Sequence, residues 1–147
     1  MRSDREPETG DADDRAPDGF APTRQGQFSR HIGPYYEKRD GEGFVRGFRV
    51  QEKHLNAAGV VHGGMLTAFM DSLLGHTVFW ASGHSGRTVR LVADFVGPAK
   101  RGDWVEGRAK LIRATRTVAF VEGTLNVGGR QVMRADGVFR LSRRKSR

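Results

Sequence analysis

The chain has 147 residues, no cysteine and a net charge of +8. That length accommodates one domain around one core, and the missing thiols exclude disulfides, a cysteine nucleophile and a Cys-based zinc site. The opening MRSDREPETG holds no apolar run, so no secretory signal is expected and a reducing cytoplasm is the default location.

Charge divides the chain. Residues 1–18 carry seven acids (Asp4, Glu6, Glu8, Asp11, Asp13, Asp14 and Asp18) against three arginines, a net of −4, which leaves +12 on the remainder. The first stretch is rich in Pro, Gly and Ala and poor in large apolar side chains, so residues 1–26 are expected to form a disordered acidic tail. The basic remainder implies affinity for anions. Nucleic acid, membrane phosphates and a phosphate-rich small molecule all fit, as does a basic surface that serves only solubility.

Phe44 to Glu52 reads as the first strand, approached through Gly41 and Gly43. From His62 to Gly86 the only formal charge is Asp71, and Met65, Leu66, Phe69, Leu73 and Leu74 recur at helical spacing. Gly63 and Gly64 suit the start of this helix and SGHSG at 82–86 its end. A membrane span fits poorly. An Asp near the middle costs roughly 2.5–3.5 kcal/mol on insertion scales, and Thr67, Ser72, Gly75 and His76 interrupt an already short apolar run. A helix buried on most sides of a soluble fold is the expectation.

The chain then alternates with period two. Val89, Leu91, Ala93 and Phe95 are expected on one face, with Arg90 and Asp94 on the other. Val105, Ala109 and Leu111 follow, then Ala119, Val121, Leu125 and Val127. Gly128-Gly129 marks a hairpin turn into a last strand near 130–141. The order is therefore a strand, a long apolar helix and four strands in meander, an α+β antiparallel sheet with one helix on its face.

Several catalytic motifs fail. Gly83-His84-Ser85-Gly86-Arg87 lacks the last glycine of a nucleophile elbow, no phosphate-binding glycine loop is present, and His31, His54, His62, His76 and His84 show no metal spacing. His76 and His84 read as polar helix-end residues. What remains is Asn56-Ala57-Ala58-Gly59-Val60-Val61-His62-Gly63-Gly64, with Asp71 nine residues past the histidine.

A helix N-terminus presents unpaired N–H groups, and glycine lets a ligand approach that backbone closely. Such a site can polarise a carbonyl and hold its developing oxyanion, while Asp71 attacks the carbon or activates water. Gly63 and Asp71 lie about 12 Å apart along one helix axis. If both act on one carbonyl, the second must come from another copy of the chain, so an obligate dimer is expected. Gly63, Thr67, Asp71 and Gly75 form a small, polar stripe that permits close approach of another backbone. The competing reading of Asp71 is a buried structural carboxylate.

Asn56…Gly59-x-x-His62-Gly63-Gly64…Asp71 resembles the signature of the phenylacetate-pathway (PaaI-type) hotdog-fold acyl-CoA thioesterases. The similarity extends through Phe95-Val96-Gly97-Pro98-Ala99-Lys100-Arg101-Gly102-Asp103 and the strand from Arg116 to Leu125, covering roughly residues 28–142. The resemblance implies a hotdog domain over 27–142, with the tail at 1–26 and a basic terminus at 143–147 outside it. It implies homodimers that often pair into tetramers, and hydrolysis of acyl-CoA without metal or cofactor, coenzyme A being part of the substrate. By position, the Gly63 N–H and the Asn56 side chain would polarise the thioester carbonyl, and His62 would hold the loop and substrate. Asp71 of the partner subunit would be nucleophile or general base, and Thr88 falls where relatives place a hydroxyl that orients the water or carboxylate. The Arg113-Ala114-Thr115-Arg116 turn departs from the family in lacking a glycine that some relatives carry there.

Coenzyme A gives the basic core a purpose: Lys100, Arg101, Arg113 and Arg116, at strand ends and turns, can reach its phosphates. The run from Arg140 to Arg147 reads as a solvated tail or a phosphate clamp. Phe69, Phe79, Trp80, Tyr35 and Tyr36 are candidates for an acyl pocket or for plain packing. Two other functions compete. A non-catalytic, regulatory acyl-CoA-binding protein would have little use for Asp71. A nucleic-acid module would interleave aromatic and basic residues on one sheet face, which these strands do not, so neither nucleic acid nor membrane is expected as a partner.

Overall fold

The computed structural model describes residues 14–143. The chain runs β1 (Ala21–Pro22), α1 (Gln27–Ile32), β2 (Tyr36–Asp40), β3 (Gly43–Arg49), a 3-10 turn (Glu52–His54), α2 (Gly63–Ser82), β4 (Gly86–Phe95), β5 (Trp104–Ala114), β6 (Val118–Val127) and β7 (Arg130–Leu141). All pairs are antiparallel, and the strands lie in the order β1-β2-β3-β5-β6-β7-β4.

The core forms where α2 meets the sheet. Met65, Leu66, Phe69, Met70, Leu73, Leu74 and Val78 are buried against Phe48, Val105, Val121, Leu125, Met133 and Phe139. Period-two alternation sets Val105, Val121 and Leu125 on this face and leaves Arg108 and Lys110 exposed on the other. The helix lies so close that a Cβ added at Gly107 would sit 2.6 Å from Leu73 Cδ2. Glycine there is a condition of packing, not of backbone angle. An antiparallel sheet wrapped along one long, buried helix is the hotdog arrangement.

Four features differ from the sequence expectation. First, β5, β6 and β7 form a meander, but β4 does not lead it. It lies at the far edge and pairs only with β7, while β3 takes the place beside β5. The long α2 carries the chain across the sheet before β4 begins, so sequence neighbours are not spatial ones.

Second, the strand expected at Phe44–Glu52 is β3 (Gly43–Arg49), and it has a hairpin partner, β2. β2 reads YEKRD and is half-buried to exposed, so no apolar alternation reveals it. Gly41, with φ +60, makes the turn between the two.

Third, a register shift between Thr88 and Arg90 interrupts β4. Such a bulge re-aims side chains. Val89, expected inward, is 65% exposed, and Thr88 faces the helix instead.

Fourth, residues 14–26 are placed against the domain, although their composition suggests a tail. Ala21–Pro22 pairs with β2, the Phe20 ring packs edge-on to Trp104 at 5.0 Å, and Arg49 donates to the Arg15 carbonyl at 2.7 Å. One aromatic anchor and a few backbone bonds suffice where composition shows little apolar content. Residues 1–13 and 144–147 of the two expected tails lie outside the described residues. Among the described residues no helix is long and apolar enough to cross a membrane.

Candidate active site

The segment between the 3-10 turn and α2 is a small hairpin. Asn56 N–H donates to the Val60 carbonyl at 2.8 Å, Leu55 bridges Val61, and Gly59 turns the tip with φ +80. The hairpin docks on the segment before β5 through Val61 N–H to the Ala99 carbonyl at 2.8 Å and a Val60–Lys100 bridge.

Asn56 uses its side-chain oxygen within this loop, accepting from Ala58 N–H at 2.9 Å and Val60 N–H at 3.3 Å. With the oxygen held, the amide NH2 remains as a donor with no acceptor among the described residues. His62 is the N-cap of α2, and its Nδ1 accepts from Gly64 N–H at 2.7 Å. Met65 N–H and Leu66 N–H both turn back to the His62 carbonyl. The Gly63 N–H, between these capped groups, has no acceptor among the described residues. Gly63 borders a cleft of about 370 Å³ whose other walls are Val60, Val61, Leu66, Phe95, Val96, Gly97, Pro98 and Ala99. A donor without an acceptor among the described residues, at a helix N-terminus, therefore borders an apolar space.

Asp71 lies two turns further along α2, half-buried. Thr88, turned inward by the bulge, donates its hydroxyl to Asp71 Oδ1 at 2.5 Å. Asn56, His62 and Gly63 thus gather at one end of α2, and Asp71 and Thr88 pair near its middle. Eight residues separate Gly63 from Asp71 on one helix, about 12 Å along the axis, so a single chain does not bring the two groups together.

The basic candidates divide in the same way. Lys100 and Arg101 lie in the exposed turn before β5, next to the Gly63 loop, where Lys100 N–H donates to Asp103 Oδ2 at 2.8 Å. Arg113 and Arg116 lie at the β5–β6 turn, exposed, and the row of Arg113 runs through Phe120 and Val138 to Arg90 of β4. The two pairs are roughly 30 Å apart along β5. Sequence reading passed over Arg87 and took Arg140 as the start of a basic tail; the structure puts Arg140 in β7, directly opposite Arg87 at the Thr88 end. Like charges in that position repel, and the register that creates them is not legible before β4 is placed beside β7.

The aromatic candidates do not line the cleft at Gly63. Tyr35 and Phe69 are fully buried in the core, stacked edge-on at 4.9 Å, and Tyr36 packs on Trp104. Burial pushes the Tyr35 phenol well above its ordinary pKa, and its hydroxyl has no partner among the described residues. Phe79 and Trp80 lie at the far end of α2, where Trp80 carries Arg39 over its ring at 4.5 Å. The aromatic residue that does line the cleft at Gly63 is Phe95, at 54% exposure, beside Val96.

His76 belongs to a charged cluster under the helix. Its Nε2 lies 3.1 Å from Glu37 Oε1, but the approach lacks hydrogen-bond alignment, and Arg46 Nε holds the same oxygen at 2.9 Å. Burial lowers the His76 pKa, the Arg46 charge lowers it further, and Glu37 opposes both. Among the described residues no group of three His, Asp or Glu side chains is placed to hold a metal ion.

Comparison with known proteins gives a consistent picture. The Thioesterase superfamily profile matches residues 58–133. A Pseudomonas aeruginosa protein named as an esterase is 34% identical over 129 residues, 85% of this chain and 96% of that one. Human acyl-coenzyme A thioesterase 13 is 29% identical over 73 residues, 49% of this chain and 52% of that one. Among solved structures, a Streptococcus pneumoniae thioesterase protein with coenzyme A superposes with a TM-score of 0.71 at 23% identity, over 76% of this chain and 88% of that one. A Streptococcus mutans protein bound to acetyl-CoA gives 0.66 at 21% identity, over 69% and 82%. These structural likenesses establish the hotdog fold, and the sequence matches establish the family: the chain belongs to the thioesterase superfamily.

Proposed function

We propose that the protein hydrolyses an acyl-coenzyme A thioester to the free acid and coenzyme A, in a site of the PaaI type shared between two copies of the chain. One observation carries this reading. The unpaired Gly63 N–H lies at the wall of an apolar cleft, close to the Asn56 loop, while the carboxylate able to attack there is held two helical turns away by Thr88.

A second copy supplies what one chain separates. β4 is an edge strand with its outer side unpaired, and exposed strand edges recruit further strands. Antiparallel pairing of two β4 edges sets the partner's Asp71 and Thr88 beside this chain's Gly63. The same pairing turns the partner's Arg113 and Arg116 toward Lys100 and Arg101. Val92, Ile112 and Phe120, exposed on the outer sheet face, support further pairing of dimers.

In this site the thioester carbonyl oxygen accepts from the Gly63 N–H and the Asn56 amide, which hold the negative charge that develops on it. Asp71 takes the proton from an attacking water, or attacks the carbon itself and forms an anhydride that water then opens. Either way the C–S bond breaks and coenzyme A leaves as the thiolate. The basic side chains hold its phosphates. The coenzyme A and acetyl-CoA bound to the matched structures support the same ligand class.

The test is thiol release from a panel of acyl-CoAs. Asp71→Asn should lower turnover by roughly 10²-fold or more while coenzyme A binding persists. A folded wild-type protein that releases thiol from no acyl-CoA would overturn the reading in favour of a binding protein.

A further inference from the structure

His54 is 3% exposed and ends the 3-10 turn that precedes the Asn56 loop. Its ring makes two bonds that fix its tautomer. Nδ1 accepts from the Gln51 N–H at 2.9 Å, so Nδ1 carries no proton. Nε2 lies 2.6 Å from the Ile32 carbonyl and must be the donor there. The ring is therefore neutral. Burial keeps its pKa below the ordinary value, opposed by the Ile32 carbonyl and assisted by the Lys53 charge. Phe48 packs edge-on against it at 5.2 Å.

The backbone of the same residue makes two more bonds. His54 N–H donates to the Gln51 carbonyl at 3.0 Å, and its carbonyl accepts the His62 N–H at 2.8 Å. One residue thus joins the end of β3, the last turn of α1 and the N-cap of α2. His62 is held from both sides, by His54 at its own N–H and by Gly64 at its ring. The next peptide N–H is that of Gly63, and its direction follows from the backbone angles imposed on His62.

We propose that His54 is a positioning residue that fixes the direction of the Gly63 N–H and so shapes the carbonyl-binding corner of the site. Its effect on turnover rests on the thioesterase function proposed above; its effect on the Gly63 peptide does not. A histidine that merely fills the core would affect stability alone.

Three variants of the full chain separate these roles. His54→Leu removes both ring bonds. His54→Gln places an amide N–H near the Ile32 carbonyl, and His54→Asn places an oxygen near the Gln51 N–H. Each is assayed for acyl-CoA hydrolysis and, after ¹⁵N labelling, for the Gly63 amide resonance. His54→Leu should shift that resonance and lower kcat about tenfold or more, with KM within about threefold. His54→Gln, which keeps the tie to α1, should return both toward wild type, and His54→Asn should not.

A folded Leu variant with wild-type kcat and an unmoved Gly63 resonance would overturn the proposal. So would Gln and Asn variants that are equally impaired, a comparison that stands even if the Leu variant does not fold. Should the wild type hydrolyse no acyl-CoA, the proposed function falls, and the Gly63 resonance alone decides the role of His54.

Discussion

Thr88 Oγ1 donates a hydrogen bond of 2.5 Å to Asp71 Oδ1, joining the start of β4 to the middle of α2 across 17 residues of sequence. The bond fixes one carboxylate oxygen, and in the proposed function the other acts. Removing the hydroxyl should release the carboxylate's orientation without creating a buried charge defect, because Asp71 is only half-buried. Thr88→Ala is expected to lower kcat about tenfold with little change in KM, and Thr88→Ser to restore most of it. An alanine variant with full kcat in steady-state assays would remove Thr88 from the site.

The Gly63 N–H can be deleted without disturbing the helix. Proline is favoured at the first helical position, and the preceding His62, at φ −59 and ψ 133, already has the extended backbone that a following proline requires. A Cβ there would lie 3.4 Å from the Phe95 ring, an ordinary contact. Gly63→Pro should therefore keep its melting temperature and lose about 10²–10³-fold in kcat. Equal loss of stability and activity, followed by circular dichroism beside the assay, would mean that the peptide is only structural.

A shared site also predicts complementation. Gly63→Pro and Asp71→Asn chains should each be nearly inactive alone. Co-expressed in equal amounts, they should recover about a quarter of wild-type activity, since about half the dimers are mixed and each mixed dimer holds one intact site of two. Mixtures as inactive as their components would argue for a site within one chain.

The basic pairs should act on the nucleotide end of the substrate. Replacing Lys100 and Arg101 together by alanine, or Arg113 and Arg116 together, should raise KM for acyl-CoA several-fold at low salt. Neither change should alter KM for the corresponding acyl-pantetheine, which lacks the nucleotide phosphates. Equal effects on both substrates would place the four residues elsewhere in the mechanism.

Stability should depend on pH through His54 and His76. Burial holds both below the ordinary histidine pKa, with Lys53 adding to the effect at His54 and Arg46 at His76. Below pH of about 6.5 the unfolded chain binds protons that the folded chain refuses. Stability is then fully present above that pH and falls as the pH drops, by up to about 1.4 kcal/mol per pH unit for each histidine. Urea midpoints at pH 7.5 and 5.5 measure this, and a higher midpoint at pH 5.5 would contradict the assignment.

Sequence alone determined what depends on neighbours in the chain. The uncharged stretch around Asp71 marks a buried helix, and the structure runs it from Gly63 to Ser82. Gly128-Gly129 marks the β6–β7 turn, and β7 spans Arg130–Leu141 where the last strand was expected. The spacing of Gly63 and Asp71 already keeps the two from touching one carbonyl within a single chain, because helix rise per residue is constant. These are matters of period, turn chemistry and arithmetic within one element.

Tertiary structure decided what depends on partners distant in sequence. β4 sits beside β7, not β5, because α2 carries the chain across the sheet. The bulge after Thr88 exchanges Val89 for Thr88 on the inner face, and one inserted residue reverses a period-two reading. β2 stays hidden in YEKRD because its half-buried to exposed residues leave no alternation to read. His54 gives no signal in sequence, since beyond its two local bonds to Gln51 it reaches Ile32 and His62 only once α1 and α2 have packed. Residue patterns record which surfaces must be buried; pairing between distant strands, settled by the whole core at once, determines which functional groups meet.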